Sequence, residues 1–320
     1  MAHANLGLRL DSAIAKLVHR PYYTFGMFLT EAYAVRHMVG HRKDLYHMMY
    51  RDMDLCVLPK IARTTGNRLV ATFHEPPSVL NHLSLEPIVR SLDGVILVSE
   101  YQRSYFEKLV DSERIFVVPH GIDTTFFKPP SRRSQLPICI TVGAHMRDFQ
   151  TLDRAMNIIW DDDPNVRLFA VHVEHALATK NTQLASRKLL DDERVHFFSN
   201  LSDEQLRQMY QIARLAICPF HDMTASNAIL EAMACGLPVI ATDVGGAREY
   251  LAGTGILCKP SCPEAIARSV RQLLPDSAHA EHMSEASRER ALQLDFTKIS
   301  EQMQTVYAKI LGSRSVNGPM

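Results

Sequence analysis

The sequence lacks the features that mark the most easily recognised protein classes. No apolar run approaches the roughly 20 residues needed to cross a bilayer, and the first residues do not have the layout of a secretory leader. Lysine and arginine number 35, as do aspartate and glutamate, so net charge is zero and no basic footprint points to nucleic acid. Six cysteines stand at 56, 139, 218, 235, 258 and 262. No Cys/His partners have structural-zinc spacing. Cys139 and Cys218 lie in apolar runs, where a thiol behaves as a small hydrophobe. Reduced thiols in a cytoplasmic protein are the expectation. Internal repeats and low-complexity tracts are also missing.

What remains is a globular composition. Hydrophobic residues make up 46% and charged residues 22% of 320, enough for a large core and about two domains. Short runs rich in valine and isoleucine alternate with helical patterns. The first half offers LYHMMY (45–50), RLVATF (68–73), GVILVS (94–99) and RIFVVP (114–119). The second half offers ICITVG (138–143), VRLFAV (166–171), RVHFFS (194–199), RLAICP (214–219), the PVIATD run near 240 and GILCKP (255–260). Helical stretches such as SEYQRSYFEKLV and SDEQLRQMYQIA fall between them. This alternation predicts βαβ units and mainly parallel sheets. Continuous rather than alternating apolar strands predict sheets covered on both faces. The polar, proline-rich FKPPSRRSQLP (127–137) reads as a linker between two α/β domains, with 1–130 before it and 131–295 after.

Ligands of open α/β sheets bind beyond the carboxyl ends of the strands, so the residues there matter most. After RLAICP comes PFHDMTASN, in which Thr224, Ser226 and Asn227 can each start a helix by capping free N–H groups. Glu231 lies one turn in, on the face of Asn227. A helix start at a strand end attracts phosphate, and an acid one turn below could accept hydrogen bonds from the sugar hydroxyls of a nucleotide. An acid favoured merely by the helix dipole explains Glu231 equally well. After ICITVG, Gly143 allows close backbone approach, and Arg147 offers a planar fork suited to a diphosphate. The plainer account of Arg147 is a solvated arginine paired with Asp148 or Asp153. The same loop is not G-x-G-x-x-G, which argues against a nicotinamide or flavin dehydrogenase. Gly245 and Gly246 follow PVIATD. RLVATF ends in HEPP, where Pro76 and Pro77 stiffen the turn behind His74; taken alone, His74 is a polar loop residue. Asp161, Asp162 and Asp163 read as a solvated turn before Pro164. His172 and His175 follow a strand and mark no metal site.

Taken in order, VPHGIDTTFFKP, VGAHMRDFQTL, LSDEQLRQMYQIARLAICP and ILEAMACGLPVIATDVGGAREYL followed by GTGILCKP resemble family 4 glycosyltransferases. These are retaining enzymes of GT-B architecture, and the resemblance runs from about residue 44 to the C-terminus. It implies two Rossmann-like parallel-sheet domains facing across a cleft, the N-terminal one reduced. The acceptor site falls in the first domain and the nucleotide-sugar site in the second. It implies Glu231 at the ribose, the turn through Asp222, Met223, Thr224, Ala225, Ser226 and Asn227 around the phosphates, Gly143 and Arg147 at the diphosphate, and His74 at the catalytic edge of the first domain. Catalysis would then rest on His74, Arg147 and Glu231, with Arg147→Ala losing rate while folding stays intact. No cofactor or metal is implied beyond a UDP- or GDP-linked sugar as donor and a hydroxyl acceptor. The terminal segment 296–320, with FTKISEQMQTVYAKIL at its start, would cross back onto the first domain.

Three departures stand out. The family's second glutamate, which contacts the donor sugar, is here Met223 beside Asp222. The arginine that often follows the loop glycine is replaced by Ala144 and His145. The opening strand with its glycine-rich loop has no clear counterpart in residues 1–27. These departures leave open a non-catalytic scaffold or partner subunit; a nucleotide-sugar epimerase ranks lower. Because many members glycosylate lipids, peripheral contact with the inner face of a membrane also stays open. Lys16, His19 and Arg20 among apolar residues suit it, although a domain helix explains them more simply.

Overall fold

The computed structural model describes residues 24–49, 57–172, 191–275 and 277–312, together with Leu10, Asp11, Ile14, Lys16 and Leu189. His19, Arg20, Cys56 and His175 lie outside the described residues. In chain order the helices are α1 (Phe25–Gly40), α2 (Leu58–Thr65), α3 (Pro77–Leu80), α4 (Glu86–Ser91), α5 (Arg103–Phe106), α6 (Phe149–Asp162), α7 (Asp203–Ile212), α8 (Asn227–Ala234), α9 (Ala247–Leu251), α10 (Pro263–Leu273), α11 (Ala278–Gln293) and α12 (Phe296–Gly312). The strands are β1 (Leu45–Met48), β2 (Arg68–Phe73), β3 (Gly94–Leu97), β4 (Ile115–Val117), β5 (Ile138–Val142), β6 (Arg167–Val171), β7 (Val195–Phe198), β8 (Leu215–Cys218), β9 (Val239–Thr242) and β10 (Ile256–Cys258).

Two compact units result, both α/β. The first runs to Val118 and regains the chain from Glu301; the second is Pro119–Ser300. The first holds a four-stranded sheet in the order β1-β2-β3-β4, the second a six-stranded sheet in the order β10-β9-β8-β5-β6-β7. Every ladder is parallel. The central strands β3, β8 and β9 are buried along their whole length, as continuous apolar runs between two helical layers require. Each fully buried Val, Leu or Ile contributes about 1.5–3 kcal/mol, so the two sheet cores dominate the stability of their units.

The expected boundary at 130 differs from the observed one. The linker reading of 127–137 fails at its start because Phe127 is buried in the second unit. Its ring stands edge-on to Tyr210, and Arg288 donates to the carbonyls of Thr124 and Phe127 (both 2.9 Å). Further on, Arg133 donates to Gly236 O and Ser284 Oγ. A proline-rich composition signals irregular backbone, but these long-range bonds make 119–137 part of a packed domain. In α12, Phe296 and Ile299 pack on Gly121 in the second unit. Further along, Ile310 packs on Gly94 and Tyr307 bonds His47 (2.6 Å) in the first.

SEYQRSYFEKLV does not form one helix. A 3-10 turn at Glu100–Gln102 precedes the four-residue α5. Buried Gln102 accepts from Val98 N–H and donates to the carbonyls of Phe73 (2.9 Å) and Glu75 (3.0 Å). That side chain ties β3 to the HEPP loop, at the expense of regular helix.

Candidate active site

In the second unit the chain leaves β5 for β6 on one side and later returns to β8 on the other. The two connections diverge between β5 and β8, and such a switch point leaves a crevice at the carboxyl ends of the strands. Three loops meet there. The loop after β5 and the loop after β8 are laced by His221 N–H to Met146 O (2.9 Å) and Asp148 N–H to Pro219 O (3.0 Å). An antiparallel bridge pairs Arg147 with Phe220. The loop after β9 joins through Gly246 N–H to Met223 O (2.9 Å), and Thr242 Oγ1 accepts from Phe220 N–H (3.0 Å).

Two glycines permit this arrangement. Gly143 has φ +81° with nothing within 4 Å of a notional Cβ, leaving open space beside the backbone. Gly245 has φ +50°, and a Cβ there would meet Met223 O at 1.9 Å. The first glycine faces open space and the second makes room for another loop.

Helix α8 opens at this crevice. Ser226 is its N-cap, with Oγ accepting from Ile229 N–H (3.4 Å), and Asn227 is exposed. Thr224 is buried, and its Oγ1 has no hydrogen-bond partner among the described residues. One turn inside α8, Glu231 Oε2 accepts from Tyr210 Oη–H at 2.8 Å. Burial raises the Glu231 carboxyl above its usual range; the Tyr210 bond opposes the rise and Asp203 adds to it. Burial likewise drives the Tyr210 phenol well above its ordinary value, Glu231 adding to it.

Arg147 is not a solvated arginine. It is 7% exposed, its guanidinium lies 4.0 Å from the centre of the Phe220 ring, and Nη2 donates to Val142 O (2.5 Å). Nη1 is buried without a partner among the described residues. No ion pair links it to Asp148 or Asp153 among those residues. Asp148 instead caps α6 through Thr151 N–H (2.9 Å) and Thr151 Oγ1–H (2.6 Å), and Asp153 accepts from Asn157. Among the described residues, the Nη1 of Arg147 and the Oγ1 of Thr224 are thus two buried polar atoms without a partner, which native packing seldom leaves.

Asp222 Oδ1 accepts from Met223 N–H (2.8 Å). Met223 is buried, and Ala225 is half-buried on the way to Ser226. His74 belongs to the first unit, where its Nε2–H donates to Met49 O (2.6 Å). A carbonyl only accepts, so this bond places a proton on Nε2.

Sequence reasoning missed His120, whose N–H donates to Tyr250 Oη (2.9 Å) and whose Nδ1 meets Asn227 Oδ1 at 3.2 Å. It reaches the mouth of α8 from 107 residues upstream, and no local pattern could show that. Tyr210 was hidden in an amphipathic helix as an ordinary core aromatic. Among the set-aside features, Asp162 pairs with Arg271, and Asp163 Oδ1 accepts from Asn165 N–H (2.9 Å). His172 holds a positive φ of 56° and donates its N–H to Phe198 O (2.8 Å).

Comparison with known proteins matches residues 123–290 to the family of glycosyl transferases group 1. Residues 7–126 match glycosyltransferase family 4, well before the start near residue 44 expected from the motifs. The alpha-maltose-1-phosphate synthase of Mycobacterium tuberculosis is 26% identical over 294 residues, covering 77% of this chain and 76% of its own length. The D-inositol 3-phosphate glycosyltransferase of Corynebacterium aurimucosum is 27% identical over 216 residues, covering 61% of this chain and 51% of its own. In fold, the chain is similar to sucrose-phosphate synthase from Thermosynechococcus elongatus, with TM-score 0.70 at 22% identity over 90% of this chain and 78% of that one. Anabaena HepE in complex with UDP and glucose gives TM-score 0.68 at 20% identity over 87% of this chain and 80% of that one. Both sheets, the strand-end loops and these matches agree: the chain belongs to the glycosyl transferases group 1 family and is a glycosyltransferase of the GT4 type with the GT-B fold.

Proposed function

We propose that the protein transfers a hexose, with retention, from a nucleotide-diphosphate sugar to the hydroxyl of an acceptor. The observation that carries this reading is the opening of α8. A capped helix start, Thr224 two residues before the cap with no hydroxyl partner among the described residues, and Arg147, bridged to Phe220 in the same loop, are the donors a diphosphate would need, with Glu231 one turn below. The helix N-terminus attracts the phosphates, and the Glu231 carboxylate, held by Tyr210, accepts from the ribose hydroxyls. UDP is the first nucleotide to test, because the similar HepE structure holds it.

The chemistry is front-face attack. The acceptor oxygen bonds to the anomeric carbon as the bond from that carbon to the diphosphate oxygen breaks. The departing oxygen takes the acceptor's proton. The protein contributes positioning and stabilisation of charge growing on the diphosphate. Arg147 and the start of α8 supply the stabilisation, and His74, its ring fixed by the Nε2–H bond to Met49 O, orients a sugar hydroxyl. No resident cofactor enters this scheme.

A thermal-shift screen with UDP, GDP and ADP tests it. A nucleotide at a hundredfold its Kd stabilises the native state by about 2.7 kcal/mol, and Glu231→Ala should abolish that gain. No shift with any nucleotide would refute the reading. Met223, standing where the family carries a glutamate, favours one second reading: a binding scaffold without turnover. Nucleotide binding with neither hydrolysis nor transfer across a panel of donors would establish that alternative.

A further inference from the structure

His120 stands on backbone that is held from several directions. Its own N–H donates to Tyr250 Oη (2.9 Å), and Tyr250 is buried on α9. Two residues on, Ile122 N–H donates to Leu294 O (3.0 Å) and Ile122 O accepts from Phe296 N–H (3.1 Å). Gly121 between them is walled in, since a Cβ there would meet Phe296 Cδ1 at 2.7 Å and Ile299 Cγ1 at 3.2 Å. A support ordered beforehand leaves little entropy to lose when a ligand binds.

From this support the half-buried imidazole reaches the first residue of α8, where Nδ1 lies 3.2 Å from Asn227 Oδ1. An amide oxygen only accepts, so Nδ1 carries the proton. The bond also fixes which way the amide faces. With Oδ1 turned to His120, the Nδ2 donors of Asn227 are left over, and its side chain makes no other hydrogen bond among the described residues. These donors stand next in sequence to Ser226, the cap of α8. They follow by three residues Thr224, whose buried hydroxyl also has no partner among the described residues.

We propose that His120 is a positioning residue of the diphosphate site. Its imidazole holds the Asn227 amide so that Nδ2 donates to a phosphate oxygen at the start of α8. The inference rests on the nucleotide-sugar reading above and adds a donor to it. An amide free to rotate would present oxygen and nitrogen to the anion in turn, and only the nitrogen can bind it. His120 acts through Asn227 and bonds no phosphate itself.

Calorimetric titration of the full chain with UDP and with uridine tests the proposal (GDP and guanosine if the wild type selects guanine). Uridine keeps the contact with Glu231 and lacks the phosphates. Asn227→Ala should weaken UDP about tenfold, roughly the worth of one hydrogen bond to a charged group, and leave uridine unchanged. His120→Phe keeps a ring without the donor and should weaken UDP by a similar factor. His120→Asn returns an N–H near the place of Nδ1 and should restore most of the affinity, which a packing role would not. In the double variant His120→Phe with Asn227→Ala the two losses should not add, because both remove the same bond. Asn227 is exposed, so its variant reports even if a change at His120 unfolds the protein. The proposal is overturned if Asn227→Ala or folded His120→Phe binds UDP as wild type does. It is equally overturned if uridine weakens as much as UDP, or if the double variant shows both losses in full. A wild type that binds no nucleotide would instead refute the nucleotide-sugar reading, and this proposal with it.

Discussion

Tyr210 donates its phenolic proton to Glu231 Oε2 across 2.8 Å, joining α7 to the helix that opens the proposed diphosphate site. Burial raises the carboxyl of Glu231. A carboxyl raised on folding contributes stability below its unfolded pKa and loses it as pH rises through the folded one. Once ionised, Glu231 is therefore a cost to stability, which the proposed contact with the ribose would explain. Glu231→Gln should raise the melting temperature and weaken nucleotide binding at once. A melting temperature below wild type would contradict this account of the carboxylate.

The same bond predicts a pH effect. Tyr210→Phe removes the donor that holds the Glu231 carboxyl down, so protonation begins at higher pH. Nucleotide affinity, followed by calorimetry on acidification, should fall earlier in that variant than in wild type. Coincident profiles would show that Glu231 does not titrate with binding.

Arg147 needs a revised expectation. Stacked on Phe220 and bonded to Val142 O, it cannot be truncated without leaving a cavity, so Arg147→Ala should lose stability as well as rate. Losing one preorganised donor typically costs about 10²–10³ in rate. Arg147→Lys keeps charge and much of the volume but removes the fork. A drop in turnover with little change in melting temperature is expected for it. Full turnover in Arg147→Lys would leave the guanidinium without a specific role.

Gly245 and Gly253 offer a matched pair. Both have positive φ, but a Cβ meets Met223 O at 1.9 Å in the first and nothing within 4 Å in the second. Gly253→Ala should cost about 1 kcal/mol for backbone strain alone. Gly245→Ala adds overpacking, for a total of about 2–4 kcal/mol. It also displaces the Asp222–Thr224 turn, so nucleotide affinity should fall in Gly245→Ala only. Chemical denaturation and calorimetry on the two variants decide the point.

In the first unit, His47 lies between Tyr307 Oη (2.6 Å) and Thr72 Oγ1 (2.7 Å). Burial lowers its pKa from 6.5 to about 4, with His74 pushing the same way. The unfolded chain thus binds a proton that the folded one refuses. Stability is complete above pH 6.5 and declines as pH falls toward 4. Discounted for partial exposure, the loss is on the order of 1–2 kcal/mol. His47→Gln should lack this decline in urea melts. An identical pH dependence in both proteins would clear His47 of the effect.

All ten strand runs of the sequence became strands; β2, β3, β5, β8 and β9 are apolar segments buried along all or nearly all of their length, whereas β1 is half-buried throughout and β7 exposes His196. Helix α8 was equally legible, since Ser226, Gly236 and Pro238 mark its ends through local backbone chemistry. SEYQRSYFEKLV misled because Gln102 found better partners in Phe73 and Glu75 than helix offers. The linker reading misled because composition reports flexibility and cannot report Arg288 reaching the carbonyls of Thr124 and Phe127.

Local order therefore follows from the sequence alone: alternating strands and helices, the caps of α8, and glycines at the strand ends. These depend on residues within a few positions of one another. Tertiary structure decided which loops meet at the switch point, that Arg147 turns inward onto Phe220, that Tyr210 claims Glu231, and that His120 arrives beside Asn227. Those contacts join residues up to 107 apart, and only the packing of completed sheets brings such distant side chains within a few ångströms.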